Sequence, residues 1–193
     1  MHMPSRVVVL ASGSPRRSEL LTQMGIPFEV IAADVDEQCT GTPQEQVCTL
    51  ALRKAMAVQP FHKERIILAA DTLVHKGNQT LGKPQTPAQA RDMLQLLSGA
   101  WHEVYTGVCL INGAGGKHSV AFEMTRVRFS HLSDQMIDAY VRTGEPMDKA
   151  GAYAIQGRGG MFVEEIQGSP SNVIGLPMAL VHSMFLKFGI DVF

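Results

Sequence analysis

An α/β fold with a mixed, twisted sheet flanked by helices is predicted by three features of the chain. Short β-branched runs alternate with capped helical segments through the first half. Two long strand-like runs then face each other across a short glycine-rich loop, and helical periodicity returns towards the C-terminus. This alternation followed by a hairpin argues for a mixed sheet rather than a plain doubly wound one. The 193 residues fit a single domain over 1–193 with a sizeable buried core.

The elements follow in order. Residues 6–12, RVVVLAS, form a buried strand ending in a small-residue loop. Ser14 is placed as the N-cap of a helix with Pro15 at its first position, and Gly25 ends it. Residues 27–33 predict a second strand running into the acidic stretch DVDEQ at 34–38. Thr42-Pro43-Gln44-Glu45 is a capping box opening a helix to about Val58. Residues 65–77 are the most strand-like segment of the first half. Thr86 to Gln89 repeats the capping logic for a helix ending at Ser98-Gly99. The hairpin pairs 101–112 with 118–130 through the loop GAGGK. A helix over 133–143, a glycine-rich stretch at 148–160, a strand near 160–167 and a helix from about Leu176 complete the chain.

Composition narrows the function classes. The net charge of −1 offers no global attraction for nucleic acid or acidic membranes, and basic–aromatic alternation is missing. No apolar run approaches the roughly 18 residues of a membrane span. The start, Met1 to Arg6, lacks the apolar core of a secretory signal. The 3 cysteines fit neither a disulfide framework nor a paired zinc site, and Cys109 reads as a buried free thiol. A cytoplasmic setting is the expectation.

The chemistry starts with Ser12-Gly13-Ser14-Pro15-Arg16-Arg17. Two arginines in a first helical turn oppose the helix dipole, at a cost of about 0.3–1 kcal/mol each. A bound polyphosphate reverses that sign, because backbone N–H groups and guanidinium forks both suit phosphate oxygens. The bland alternative leaves both arginines in solvent. Asp71 ends the apolar run IILAAD, where a carboxylate needs a cation, a metal or a catalytic role, or else is a satisfied turn residue. Asp34, Asp36 and Glu37 offer oxygen ligands to a hard divalent cation, or form a solvated loop. Lys54 falls on a helix, where most lysines lie at the surface, Lys83 is oriented by Pro84, and Lys149 and Gln156, in a glycine-rich stretch, are candidates to line a pocket where backbone must approach a ligand. Tyr153 offers a ring either to stack on a base or to pack, and packing is the expectation.

The ordered motifs LASGSPRRSELL, AADTLV, GKP at 82–84, LSGAWHEVYTGV, GEPMDKAGAYAIQGRGG and NVIGLP at 172–177 resemble the Maf family of nucleotide pyrophosphatases, colinearly from about Val7 to Pro177. The resemblance implies an α/β fold of two lobes around a cleft, similar to inosine triphosphate pyrophosphatase. It implies hydrolysis of a nucleoside triphosphate to the monophosphate and pyrophosphate, with Mg²⁺ or Mn²⁺. DKAGAYAIQG is similar to the branch acting on dTTP and UTP, a house-cleaning role in the nucleotide pool.

Carried over by motif, Asp71 matches the proton-accepting aspartate, and Arg16, Thr72 and Gln156 match positions linked to specificity. Glu37 matches a metal-associated carboxylate, with Asp71 as its partner. Arg17, Lys54 and Lys83 match basic groups around the phosphates, and Ser12, with Ser14 beside it, belongs to the phosphate loop. Gly82 and Pro170 depart from the common glutamate and aromatic. The competing reading is a nucleotide-binding regulator of cell division or septum formation without turnover. No nucleic acid or membrane partner is expected, and the resemblance admits a homodimer.

Overall fold

The computed structural model describes residues 7–113 and 116–192. Met1 to Arg6, the tip of the 113–117 loop and Phe193 lie outside the described residues. In order, the elements are β1 (Val8–Leu10), α1 (Pro15–Gln23), β2 (Phe28–Val30), α2 (Pro43–Val58), β3 (Ile66–Lys76), β4 (Gln79–Leu81) and α3 (Pro87–Leu97). There follow β5 (Trp101–Asn112), β6 (His118–Phe129), α4 (Asp134–Arg142), β7 (Val163–Gln167), α5 (Pro170–Ile174) and α6 (Met178–Lys187). Short 3₁₀ turns occupy 145–148, 150–152 and 158–162.

The strands form one mixed sheet of seven, in the order β2-β1-β3-β5-β6-β7, with β4 paired to β3. β1 runs parallel to β2 and β3, whereas β4 and β7 are antiparallel to their neighbours. This is the predicted α/β class. The capping box of α2 is complete, with Thr42 Oγ1 accepting from the Glu45 N–H and Glu45 Oε2 accepting from the Thr42 N–H at 2.8 Å. Thr86 caps α3 and Ser133 caps α4 by the same side-chain acceptance. Ser14 does occupy the N-cap of α1, but its side chain makes no capping bond.

Four sequence expectations change. The second strand is only three residues long, because its neighbour β1 offers just Val8 to Leu10 for pairing. β4 was not anticipated. A turn with Gly77 at φ +60° folds it back on β3, and the Gly-Asn pair at 77–78 is the local signal for it. Residues 158–162 coil as a 3₁₀ turn before β7, and Pro170 opens the unpredicted α5.

The chain divides into two compact units, one of Met1–Asp71, Thr106–Glu123 and Gly175–Phe193, the other of Thr72–Tyr105 and Met124–Ile174. In the first, Val9, Ile67 and Ile111 pack beneath Ala51, Ala55 and Val58 of α2. Cys109 is buried there as a free thiol, pushed up to about 12 by burial. Gly107 matters to this packing. A Cβ at that position would lie 2.3 Å from the Val47 carbonyl oxygen, so glycine lets α2 sit directly on the sheet. In the second unit, Leu94 and Leu97 of α3 and Ile137 and Tyr140 of α4 share a core with Phe129 and Phe162. Each such side chain contributes about 1.5–3 kcal/mol on full burial.

Candidate active site

The first unit gathers five of the predicted residues. α2 is placed on the sheet by the close approach at Gly107, and its last turns carry Arg53 and Lys54. Lys54 Nζ lies 2.6 Å from Asp71 Oδ1 and 2.7 Å from Glu37 Oε1. The Lys54 and Asp71 side chains are only 11% and 14% exposed, whereas Glu37 keeps 56%. Arg53 Nη1 donates to the carbonyls of Asp36 and Gln38 at 3.1 and 2.8 Å, fixing the backbone that presents Glu37. Asp36 Oδ1 accepts from the Gln38 N–H at 2.9 Å, a local turn. Asp36 therefore shapes the loop, and Glu37 meets the ammonium.

Asp71 lies inside β3 rather than at a strand end. Ile66 to Ala70 before it are buried, which forces its carboxylate into a largely desolvated position. Such a group is tolerable when paired, and Lys54 supplies the pairing.

Arg17, 8% exposed, points back under the loop. Its Nη1 donates to Ser12 Oγ at 2.7 Å and its Nε to the Gly175 carbonyl at 2.7 Å. The same Ser12 oxygen accepts the Ser14 N–H at 3.3 Å, so Ser12 ties the 12–14 loop to the guanidinium. Burial lowers the Arg17 guanidinium from its ordinary value, opposed by the negative charges of Asp71 and Glu37 and reinforced by Arg16. Arg16 is half-buried on the same first turn. Ser12, Arg17, Glu37, Lys54 and Asp71 thus form one charged cluster at the head of α1.

Thr72, Lys83 and Gln156 belong to the second unit. Thr72 follows Asp71 on β3, Lys83 is exposed, and its carbonyl accepts from Gln85 Nε2 at 3.1 Å. Gln156 is exposed in the glycine-rich segment. Lys149 donates to the Glu145 carbonyl at 2.8 Å and pairs with Asp148. Tyr153 is a packing residue, as expected: it is buried, stacks edge-on with Phe129, and its hydroxyl lies 2.9 Å from His102 Nε2.

Sequence reasoning missed Arg53, the Gly175 carbonyl, and the pair Tyr140 and Glu145. GEP at 144–146 sat within a quoted motif, but no local rule assigns its glutamate a partner. Among the described residues, no group of three or more His, Cys, Asp or Glu side chains is placed to hold a metal. The two carboxylates on Lys54 are the oxygen donors that hard divalent ions take.

The model of the family described as Maf-like protein matches residues 7–188. The chain belongs to the Maf-like family. Curated relatives agree along nearly the whole length. A dTTP/UTP pyrophosphatase of Bacillus cereus (strain AH820) is 48% identical over 189 residues, 97% of this chain and 98% of the relative. Proteins of the same name from Bacillus anthracis and Bacillus thuringiensis subsp. konkukian (strain 97-27) match at 48% with the same coverage. Among the described residues of this Maf-like chain, no helix is long and apolar enough to cross a membrane.

Proposed function

We propose that this Maf-like protein is a nucleoside triphosphate pyrophosphatase acting on dTTP and UTP, clearing such nucleotides from the pool in the cytoplasm as one Maf-type domain. The observation that carries the reading is the convergence of Asp71 and Glu37 on Lys54, with Arg17 buried alongside. The names of the relatives support the substrate class.

Asp71 orients or deprotonates the water that attacks the α-phosphorus. Its hydrogen bond to Lys54 holds the carboxylate in one orientation, which is what a general base requires. The N–H groups at the head of α1 have no side-chain cap from Ser14, and a phosphate oxygen suits that position. Arg16 engages the phosphate chain from the first turn, and Arg17 holds the loop and adds positive potential. Lys83 pairs with phosphate, and Thr72 and Gln156 read the pyrimidine edge, an amide offering both a donor and an acceptor. These last three roles rest on the motif match.

A divalent cation fits this donor set. Glu37 and Asp71 would hold it, with waters and substrate oxygens completing the shell in the manner usual for Mg²⁺. When bound, it supplies neutralisation of the charge on the phosphates.

The test is pyrophosphate release by the purified protein from a panel of nucleoside triphosphates, with Mg²⁺ or Mn²⁺ and with a chelator. Turnover of UTP and dTTP above the purine triphosphates, lost on chelation, is expected. Binding of UTP without release of pyrophosphate would instead favour a nucleotide-sensing regulator.

A further inference from the structure

The glycine-rich segment 154–160 presents Gln156 to solvent, yet its backbone is tightly held. Two residues before Gln156, the Ala154 N–H donates to the Tyr140 hydroxyl oxygen at 3.3 Å. That hydroxyl in turn donates to Glu145 Oε1 at 2.8 Å. Two and three residues after Gln156, the N–H groups of Arg158 and Gly159 donate to Glu145 Oε2 and Oε1, each at 3.1 Å.

The glycines follow from the same contacts. A Cβ at 157 would lie 2.4 Å from Glu145 Oε1, and one at 159 would lie 2.7 Å from the Tyr140 oxygen. The run Gly157-Arg158-Gly159-Gly160 thus lets the chain wrap a carboxylate and a phenol within its own unit. Burial of Glu145 acts to raise its carboxyl, but the Gly159 N–H, the Tyr140 hydroxyl and the Arg158 N–H together hold it below the usual range. It accepts these bonds as an anion, and charge-assisted bonds are about twice as strong as neutral ones.

We infer that Glu145 and Tyr140 are positioning residues for substrate specificity, clamping the backbone on both sides of Gln156 so that its side chain starts from one fixed point and reaches the pyrimidine edge. The inference rests on the reading of Gln156 as the base-recognising group. A clamped backbone fixes the reach of the side chain and lowers the ordering cost of its contact with the base, and the base contact itself then selects which end of the amide faces the ring. Neither residue touches the phosphates or the reacting atoms in this scheme.

The test measures kcat and KM for UTP and CTP on the full chain for Glu145→Gln, Tyr140→Phe, Gln156→Ala and each pairwise combination with Gln156→Ala. Glu145→Gln keeps the shape but replaces one acceptor oxygen by a donor, and Tyr140→Phe removes only the hydroxyl. Each should lower the UTP-over-CTP ratio of kcat/KM at least about tenfold, mainly through KM for UTP. In the Gln156→Ala background, neither should lower the ratio further, since residues acting through one group are not additive.

If both single variants keep the ratio while Gln156→Ala abolishes it, the clamp is refuted and base reading stands. If Gln156→Ala itself keeps the ratio, base reading and clamp fall together. An equal drop in kcat for both nucleotides, or additive losses in the doubles, marks a merely structural role and overturns the inference. Should Glu145→Gln fail to fold, Tyr140→Phe carries the test alone.

Discussion

Lys54 and Asp71, 17 residues apart in sequence and on different elements, meet through a 2.6 Å hydrogen bond between Nζ and Oδ1. Both side chains are largely buried. The pair joins a helix to the central strand of the first unit, and Glu37 completes it from the loop.

Removing the cation should therefore be costly in two ways. Lys54→Met removes the ammonium that both carboxylates contact. Breaking a buried ion pair from one side costs about 3–5 kcal/mol, and the exposure of Glu37 places the expected loss near the lower end. Urea denaturation of Lys54→Met against the parent checks this. An unchanged midpoint would refute the assignment of Lys54 as the group that makes the Asp71 position tolerable.

Asp71→Asn should retain the fold, since the amide oxygen still accepts from Lys54, but lose at least about two decades of pyrophosphate release, as expected on loss of a general base. Steady-state kinetics with UTP, alongside a circular dichroism melt, separates the two effects. Near-parental turnover in a folded Asp71→Asn protein removes Asp71 from the chemistry.

The two arginines should divide cleanly. Arg17 makes buried hydrogen bonds to Ser12 and the Gly175 carbonyl, so Arg17→Ala should lower stability by about 2–4 kcal/mol as well as activity. Arg16→Ala, at a half-buried position of the same turn, should lower the melting temperature less than Arg17→Ala does and raise KM for UTP. A stable Arg17→Ala protein with only a KM defect would reverse this division.

His102 makes the stability pH-dependent. It is 2% exposed, and burial, aided by the Lys76 charge, lowers its pKa from 6.5 to about 3. The unfolded chain therefore binds a proton that the folded chain refuses across that window. Stability from this residue is complete above about pH 6.5 and falls with acidification towards pH 3, by up to about 1.4 kcal/mol per pH unit. Urea midpoints between pH 4.5 and 8 for the parent and His102→Gln should diverge, the parent declining more steeply below pH 6.5. Parallel curves would exclude His102 as the titrating group.

Much of this molecule was legible locally. The capping box at Thr42 and the buried run before Asp71 are decided by near neighbours along the chain, where capping and periodicity act; at Thr86 only the N-cap half of the expected box forms, because Gln89 Oε1 accepts from the Gln85 N–H instead. The ordered motifs likewise marked the family and the candidate residues. Local rules failed where a short-range signal had no visible partner. Ser14 looked like a side-chain cap and is not one, while Glu145, which no local signal singled out, gathers the backbone around Gln156.

The sequence by itself determined which charged and polar residues are candidates for a site and on which elements they ride. Only the tertiary structure decided what each one touches. Arg17 finds its carbonyl partner 158 residues away at Gly175, and Lys54 becomes the bridge between Glu37 and Asp71 because Gly107 lets α2 lie close on the sheet. The physical reason is range. Caps and periodic faces are stabilised by neighbours along the chain, whereas a buried charge is matched only when packing brings a distant counter-charge to it.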